Sequence, residues 1–288
     1  MEQLWGGNWT QQKLEILEKY LKTYMKIFTT NEGAKYFETI YIDAFAGCGK
    51  IYSESDEQLL FNDEFTEYSK GSVIKALELE TKFNKYIFIE NDSELCKELE
   101  LEVKKYSVTY EIKKDDANKA VTDICHNYDW KKYRAVLFLD PFGMQVKWET
   151  IKAIAQTKAI DMWYFFPLGI GAMRLLKKDG EIEEGNRKKL NELFGDNEWE
   201  QEFYQIEEEE TLFGKTENIG RTNYKNVITY LSRKLKKEFA GVVENPKIFY
   251  NSKNSPIYLL CFAAGNSKGA KTAIPIAQSL INGMEKRR

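Results

Sequence analysis

Between residues 36 and 167, short apolar runs alternate with stretches in which apolar side chains recur every three or four positions. The runs fall at 40–43, 86–89, 107–112, 135–139 and 159–166. They are rich in β-branched and aromatic residues and predict strands. The stretches between them predict helices over 71–79 (Val73, Ile74, Leu77), 93–106 (Leu95, Leu99, Val103), 117–128 and 148–155. The run AVLFL at 135–139 is nearly all apolar, as a parallel strand covered on both faces should be. Such alternation is the pattern of an α/β, doubly wound, mostly parallel sheet.

The flanks complete this picture. Leu14, Leu17, Leu21, Tyr24, Met25 and Phe28 predict an amphipathic helix over 10–28, with Thr10 as its cap. Residues 51–70 are polar and acidic and predict a long loop, an insertion in a unit whose connections are usually short. Residues 168–219 are charged and weakly periodic; Met173 to Leu176 and Trp199, Phe203 and Tyr204 mark packed helical pieces. A helix follows over 222–239, ended by Gly241. Runs at 242–250 and 257–264 around NSKNSP predict an antiparallel hairpin. Ile274, Ala277 and Ile281 mark a brief last helix before a mobile tail from Met284. The expected organisation is a helical extension over 1–35, a Rossmann-like cofactor half over 36–167, a charged helical insertion over 168–221, and a C-terminal helix with edge strands over 222–288 completing the same core.

Composition narrows the function classes. With 288 residues and 43% hydrophobic side chains the chain buries a substantial core. A net charge of -3, from 42 basic and 45 acidic residues, neither requires nor excludes a nucleic-acid face. Cys48, Cys96, Cys125 and Cys261 are widely spaced and His126 is the single histidine, so neither a zinc site nor a disulfide framework is expected. No apolar run has the length of a membrane helix, and Glu2 follows Met1 without a signal peptide's basic flank. A cytoplasmic protein is the expectation; the oligomeric state is not legible.

Candidate chemistry gathers at the strand ends. YIDAFAGCGK, from Tyr41 to Lys50, reads as a strand ending at Asp43 and running into a turn of Ala44, Phe45, Ala46, Gly47 and Gly49. Small residues there let backbone and ligand approach closely. The turn fits neither the phosphate loop nor GxGxxG. Asp43, Glu90, Asp116 and Asp140 each follow a predicted strand, so in a parallel sheet they share the carboxyl rim where ligands bind. Glu90, with Asn91, lies 47 residues beyond Asp43, against about 20 in nicotinamide sites; the insertion accounts for the excess. A carboxylate there suits ribose hydroxyls, and a turn without a pyrophosphate cradle suits S-adenosylmethionine better than NAD. Asp116 is either an adenine-side acceptor, helped by a backbone contact from Ala117 or Asn118, or a helix cap. Asp140-Pro141-Phe142-Gly143 could hold an acceptor amine by carboxylate and carbonyl under an aromatic ring; otherwise Phe142 is core. Trp9 and Lys13 lie on a helix placed to cover this pocket, Lys13 being either solvated or aimed inward. Arg233, Lys234, Lys236 and Lys237, with Tyr224 and Tyr230, make either a solvated helix or a nucleic-acid surface. Glu207 to Glu210 read as a solvated face, and no metal is expected.

DAFAGCG, FIEND, DDAN and FLDPFG resemble motifs of class I S-adenosylmethionine-dependent methyltransferases. With KLEILEKYL, GSVIKAL, LDPFGMQVKW and IYLLCFAAGNSKGAK, the order of pieces over most of the chain is similar to the three-Cys-motif partner (TcmP) family. This resemblance implies a methyltransferase-like sheet whose late strands form an antiparallel edge. It implies that Asp43, Ala46, Gly47 and Gly49 form the cofactor loop, that Glu90 binds ribose, that Asp116 lies beside adenine, and that Asp140 to Gly143 face the acceptor. It also implies a partner protein carrying the cysteine motif. The loop departs from the DPPY of many amino methyltransferases, with Phe142 and Gly143 replacing proline and tyrosine. RNA or DNA is the favoured acceptor among several. A regulatory cofactor-binding subunit and a nicotinamide oxidoreductase are the alternatives.

Overall fold

The computed structural model describes residues 8–51, 69–177, 180–211 and 214–285. Helix α1 (Asn8–Thr30) leads into strand β1 (Glu38–Asp43), and the short strands β2 (Lys50–Ile51) and β3 (Ser69–Lys70) pair antiparallel. Helix and strand then alternate: α2 (Ser72–Leu77), β4 (Lys85–Glu90), α3 (Ser93–Val103), β5 (Tyr110–Lys114), α4 (Ala117–Asn127), β6 (Tyr133–Leu139), α5 (Trp148–Gln156) and β7 (Ile160–Phe166). A π-helical turn (Leu168–Met173), α6 (Glu184–Phe194), α7 (Trp199–Phe203) and the hairpin β8 (Tyr204–Thr211) and β9 (Gly214–Arg221) follow. The chain closes with α8 (Tyr224–Glu238), β10 (Gly241–Val242), β11 (Lys247–Tyr250), β12 (Pro256–Ala264) and α9 (Ser267–Glu285).

The main sheet runs β10-β12-β7-β6-β1-β4-β5, with β11 also paired to β12. From β5 through β7 every pairing is parallel; β12 is antiparallel to β7, and β10 and β11 are antiparallel to β12. This is a class I methyltransferase-like Rossmann sheet, mixed but mostly parallel, with the expected antiparallel edge. Side chains alternate across it. Ile42, Ile89, Leu137, Met162 and Phe166 pack under α4, α5 and α8, while Tyr41, Phe88, Phe138, Trp163 and Phe165 pack under α1, α2, α3 and α9. Each fully buried Ile, Leu or Phe contributes about 1.5–3 kcal/mol, so both helical layers are held firmly. The register sets Asp43 level with Phe138 and Phe88, and Asp140 directly follows β6, so the carboxyl ends share one rim.

Several expectations are corrected. Thr10 does not cap α1, which begins at Asn8; Thr10 lies in its first turn and is buried. The third strand lies at 110–114 rather than 107–112, because Tyr106 and Val108 are tied into the turn after α3. Gly241 opens β10, and α8 has already ended, its cap Phe239 extended. The last helix is long, spanning 19 residues with Pro275 inside it. Of the 168–221 segment, only part is helical. Residues 204–211 and 214–221 pair as the β8–β9 hairpin, while Leu190, Phe194, Trp199 and Phe203 join the core beneath α8. Most of the 51–70 insertion and the end of the tail lie outside the described residues.

Candidate functional site

Asp43 ends β1 and is fully buried. Its carboxylate accepts from the Tyr41 hydroxyl at 3.1 Å, from the Phe45 amide at 3.3 Å and from the Ser72 hydroxyl. Burial pushes it up to about 6; nearby Asp140 adds to the rise, and the three donors pull against it. Ala44 and Ala46 are fixed by their amides, donating to the carbonyls of Phe138 (3.1 Å) and Ile89 (3.0 Å), so the turn is laced to strands on both sides. Gly47 and Gly49 sit at φ 55° and 82°, the left-handed region that favours glycine.

Glu90 ends β4 and reaches across to that turn. Its Oε2 accepts from the Gly47 amide at 2.9 Å, and its Oε1 accepts from the Asp92 amide at 2.9 Å. Asn91 is exposed beside it. Among the described residues, a side-chain carbon on Gly47 would meet nothing within 4 Å, which leaves room for a ligand on that face of the turn. Small residues, a half-buried carboxylate and an unobstructed turn fit an adenosine-bearing sulfonium.

Asp116 takes the cap role, accepting from the Lys119 amide at 3.1 Å at the start of α4. Ala117 is half-buried against the core. The neighbouring Asn118 acts through its side chain, which the sequence reading did not foresee. Its Nδ2 donates to the Gln145 carbonyl, and its Oδ1 accepts from the Lys147 amide and the Thr150 hydroxyl, each at 2.9 Å. It thereby fastens the loop after β6 to α4. Within that loop Pro141 is buried, Gly143 takes φ 80°, and the Phe142 amide donates to Gln145 Oε1 at 3.0 Å. The Phe142 ring is 84% exposed, which excludes the core alternative. The π-helical turn closes on the same loop: a Cβ on Gly171 would fall 2.8 Å from Met144 Cγ.

Lys13 points inward. It is buried, and its Nζ donates to Asp140 Oδ2 at 2.5 Å. The ammonium lies 4.4 Å from the Phe165 ring centre and 5.2 Å from that of Trp9. Trp9 stacks on Phe165 at 5.7 Å and approaches Tyr258 at 5.2 Å. Phe165 and Tyr258 stack on each other at 4.2 Å. These two rings come from apolar strands, where sequence gives no sign of a site.

The basic helix is less available than its sequence implies. Lys234 is buried, donates to Asp196 and lies 5.0 Å above the Trp148 ring. Arg233 pairs with Glu202 at 2.6 Å, and Tyr230 is 2% exposed with its hydroxyl on Asp196. Tyr230 is therefore withdrawn as a stacking group. Among the described residues no group of three His, Cys, Asp or Glu side chains is placed to hold a metal ion, and no helix is long and apolar enough to cross a membrane.

No family model and no curated protein matches the sequence. Solved structures align with the chain at low identity. A Legionella pneumophila protein described by the family model DUF519 is 11% identical, covering 93% of this chain and 91% of its own, with a TM-score of 0.48. Trm1 from Pyrococcus horikoshii, solved with S-adenosyl-L-methionine, is 11% identical over 95% of this chain and 74% of its own, with a TM-score of 0.37. An S-adenosylmethionine-dependent methyltransferase from Clostridium acetobutylicum is 11% identical over 86% and 92%, with a TM-score of 0.36.

Proposed function

We propose that this chain binds S-adenosylmethionine and transfers its methyl group to a nitrogen acceptor. The observation that carries the reading is the 2.9 Å bond from the Gly47 amide to Glu90, which joins the glycine turn after β1 to the acid ending β4. Glu90 retains lone pairs for ribose hydroxyls, and Asp43 and the turn from Ala44 to Gly49 form the wall beside it. The cofactor supplies an electrophilic methyl on a sulfonium. The chain supplies alignment: Asp140, at the end of the central strand, accepts from the acceptor nitrogen, and Asn118 holds the loop that carries it. The exposed Phe142 ring offers a planar face beside that nitrogen.

Membership of the three-Cys-motif partner family, and with it a cysteine-motif partner protein, rests on the sequence resemblance alone. RNA or DNA as acceptor loses support from the burial of Lys234 and Tyr230. A regulatory cofactor-binding subunit is the second reading, favoured by the pairing of Lys13 with Asp140. Calorimetric titration of the cofactor-stripped protein with S-adenosylmethionine, with NAD for comparison, tests the proposal. Saturable, selective binding of S-adenosylmethionine is expected. Preference for NAD, or no binding to the folded protein, overturns it.

A further inference from the structure

Among the described residues, Asp140 is the rim acid seen paired with a cation. Its partner Lys13 is a poor choice for a merely structural contact. Its side chain is 8% exposed, reaches across 127 positions of sequence, and ends beside the Phe165 and Trp9 rings. A carboxylate under aromatic faces is the chemistry that recognises an ammonium or an amine. Trp9 and Lys13 both come from the first turns of α1, whereas Asp140, Phe165 and Tyr258 belong to the sheet and its rim. With the Lys13 side chain withdrawn, the carboxylate and the Phe165–Tyr258 stack leave a slot where its ammonium stood, negative on one side and aromatic on another.

Charge argues that Lys13 does not stay there during transfer. A bound alkylammonium first releases one proton to solvent. The amine then becomes cationic again as its lone pair forms the N–C bond and the C–S bond breaks with its pair on sulfur, and the surplus proton leaves the methylated nitrogen for solvent. Asp140 stabilises that charge only if it is not already neutralised, and a fixed ammonium at 2.5 Å neutralises it. Resting on the methyltransferase reading above, we propose that Lys13 is a resident occupant of the acceptor-nitrogen position, that the slot takes an alkylamine, and that transfer requires the side chain to leave.

The test uses Lys13→Ala with n-butylamine as the probe, first without cofactor. By NMR titration, Lys13→Ala binds n-butylammonium, whereas the wild type and the Lys13→Ala, Asp140→Asn double variant do not. With S-adenosylmethionine carrying a labelled methyl, Lys13→Ala methylates n-butylamine about tenfold faster than wild type or more. If Lys13→Ala does not fold, Lys13→Gln replaces it, with the same gain in transfer expected. Absence of probe binding overturns the slot. Probe and cofactor binding without a gain in transfer overturns Lys13 as an occupant of the acceptor position and leaves it a structural contact. Failure of S-adenosylmethionine to bind any of these folded proteins removes the proposed function itself, and the acceptor role with it, while the cofactor-free titration separately reports whether the slot takes an amine.

Discussion

Replacing Asp43 with asparagine separates what this acid costs the fold from what it does. The residue is fully buried, and burial raises it from an ordinary 3.8 to about 6. Holding it ionised inside the protein therefore costs about 3 kcal/mol. A raised carboxyl pKa means that between pH 3.8 and about 6 the folded chain keeps a proton that the unfolded chain has released. Stability accordingly falls as pH rises through that window and stays lower above it. Asp43→Asn removes the titration while keeping an acceptor for the Tyr41 hydroxyl. Urea unfolding of both proteins at one-unit steps from pH 4 to pH 8 is the assay. Asp161, also pushed up by burial, to about 7, contributes the same slope to both proteins and cancels in the difference. The variant should gain on the wild type by about 3 kcal/mol between the acid and neutral ends, and it should bind S-adenosylmethionine less tightly at pH 8. A difference that stays flat with pH, or that narrows as pH rises, refutes the argument that Asp43 is ionised against its surroundings.

Three other outcomes follow from particular contacts. Glu90→Gln sets an amide donor against the Gly47 or Asp92 amide and should weaken S-adenosylmethionine binding by calorimetry about tenfold to a hundredfold, with the fold intact by circular dichroism. Asn118→Ala leaves the Lys147 amide and Gln145 carbonyl without their partners, so hydrogen exchange over 142–147 should quicken by the equivalent of about 1–3 kcal/mol, while β6 itself stays protected. Gly169→Ala places a Cβ 1.8 Å from the Pro256 carbonyl oxygen. It should destabilise the protein by about 3 kcal/mol in chemical denaturation, since backbone rather than a side chain must move.

The parallel half of the sheet was legible because its strands carry two-sided burial in their composition: AVLFL at β6 can hardly be anything else. The acids after the strands were legible because each interrupts an apolar run. The β8–β9 hairpin was not. Glu207 to Glu210 present four consecutive carboxylates, so the period-two alternation that announces a strand is missing, and pairing with 215–218 supplies what local sequence does not. Strand β5, half-buried at the edge, carries too weak a pattern to fix its register against the preceding turn. At the site, charge and glycine showed, but Phe165 and Tyr258 did not, since an aromatic within an apolar strand looks the same whether it faces core or ligand. Asp116 and Lys13 each had two readings; only packing tells that the first caps a helix and the second turns inward.

The stack of Trp9, Phe165 and Tyr258 has a consequence in time. Its three rings come from the first helix, the last parallel strand and the last strand of the sheet. A ribosome adding about 5–20 residues per second delivers Trp9 well before Tyr258, by roughly 12–50 s. Through that interval the nascent chain can form β1, β4 and β6, yet one wall around Asp140 does not exist. The rim is completed by one of the last segments to emerge, so a chain cut short carries the glycine turn after β1 without the full wall around Asp140.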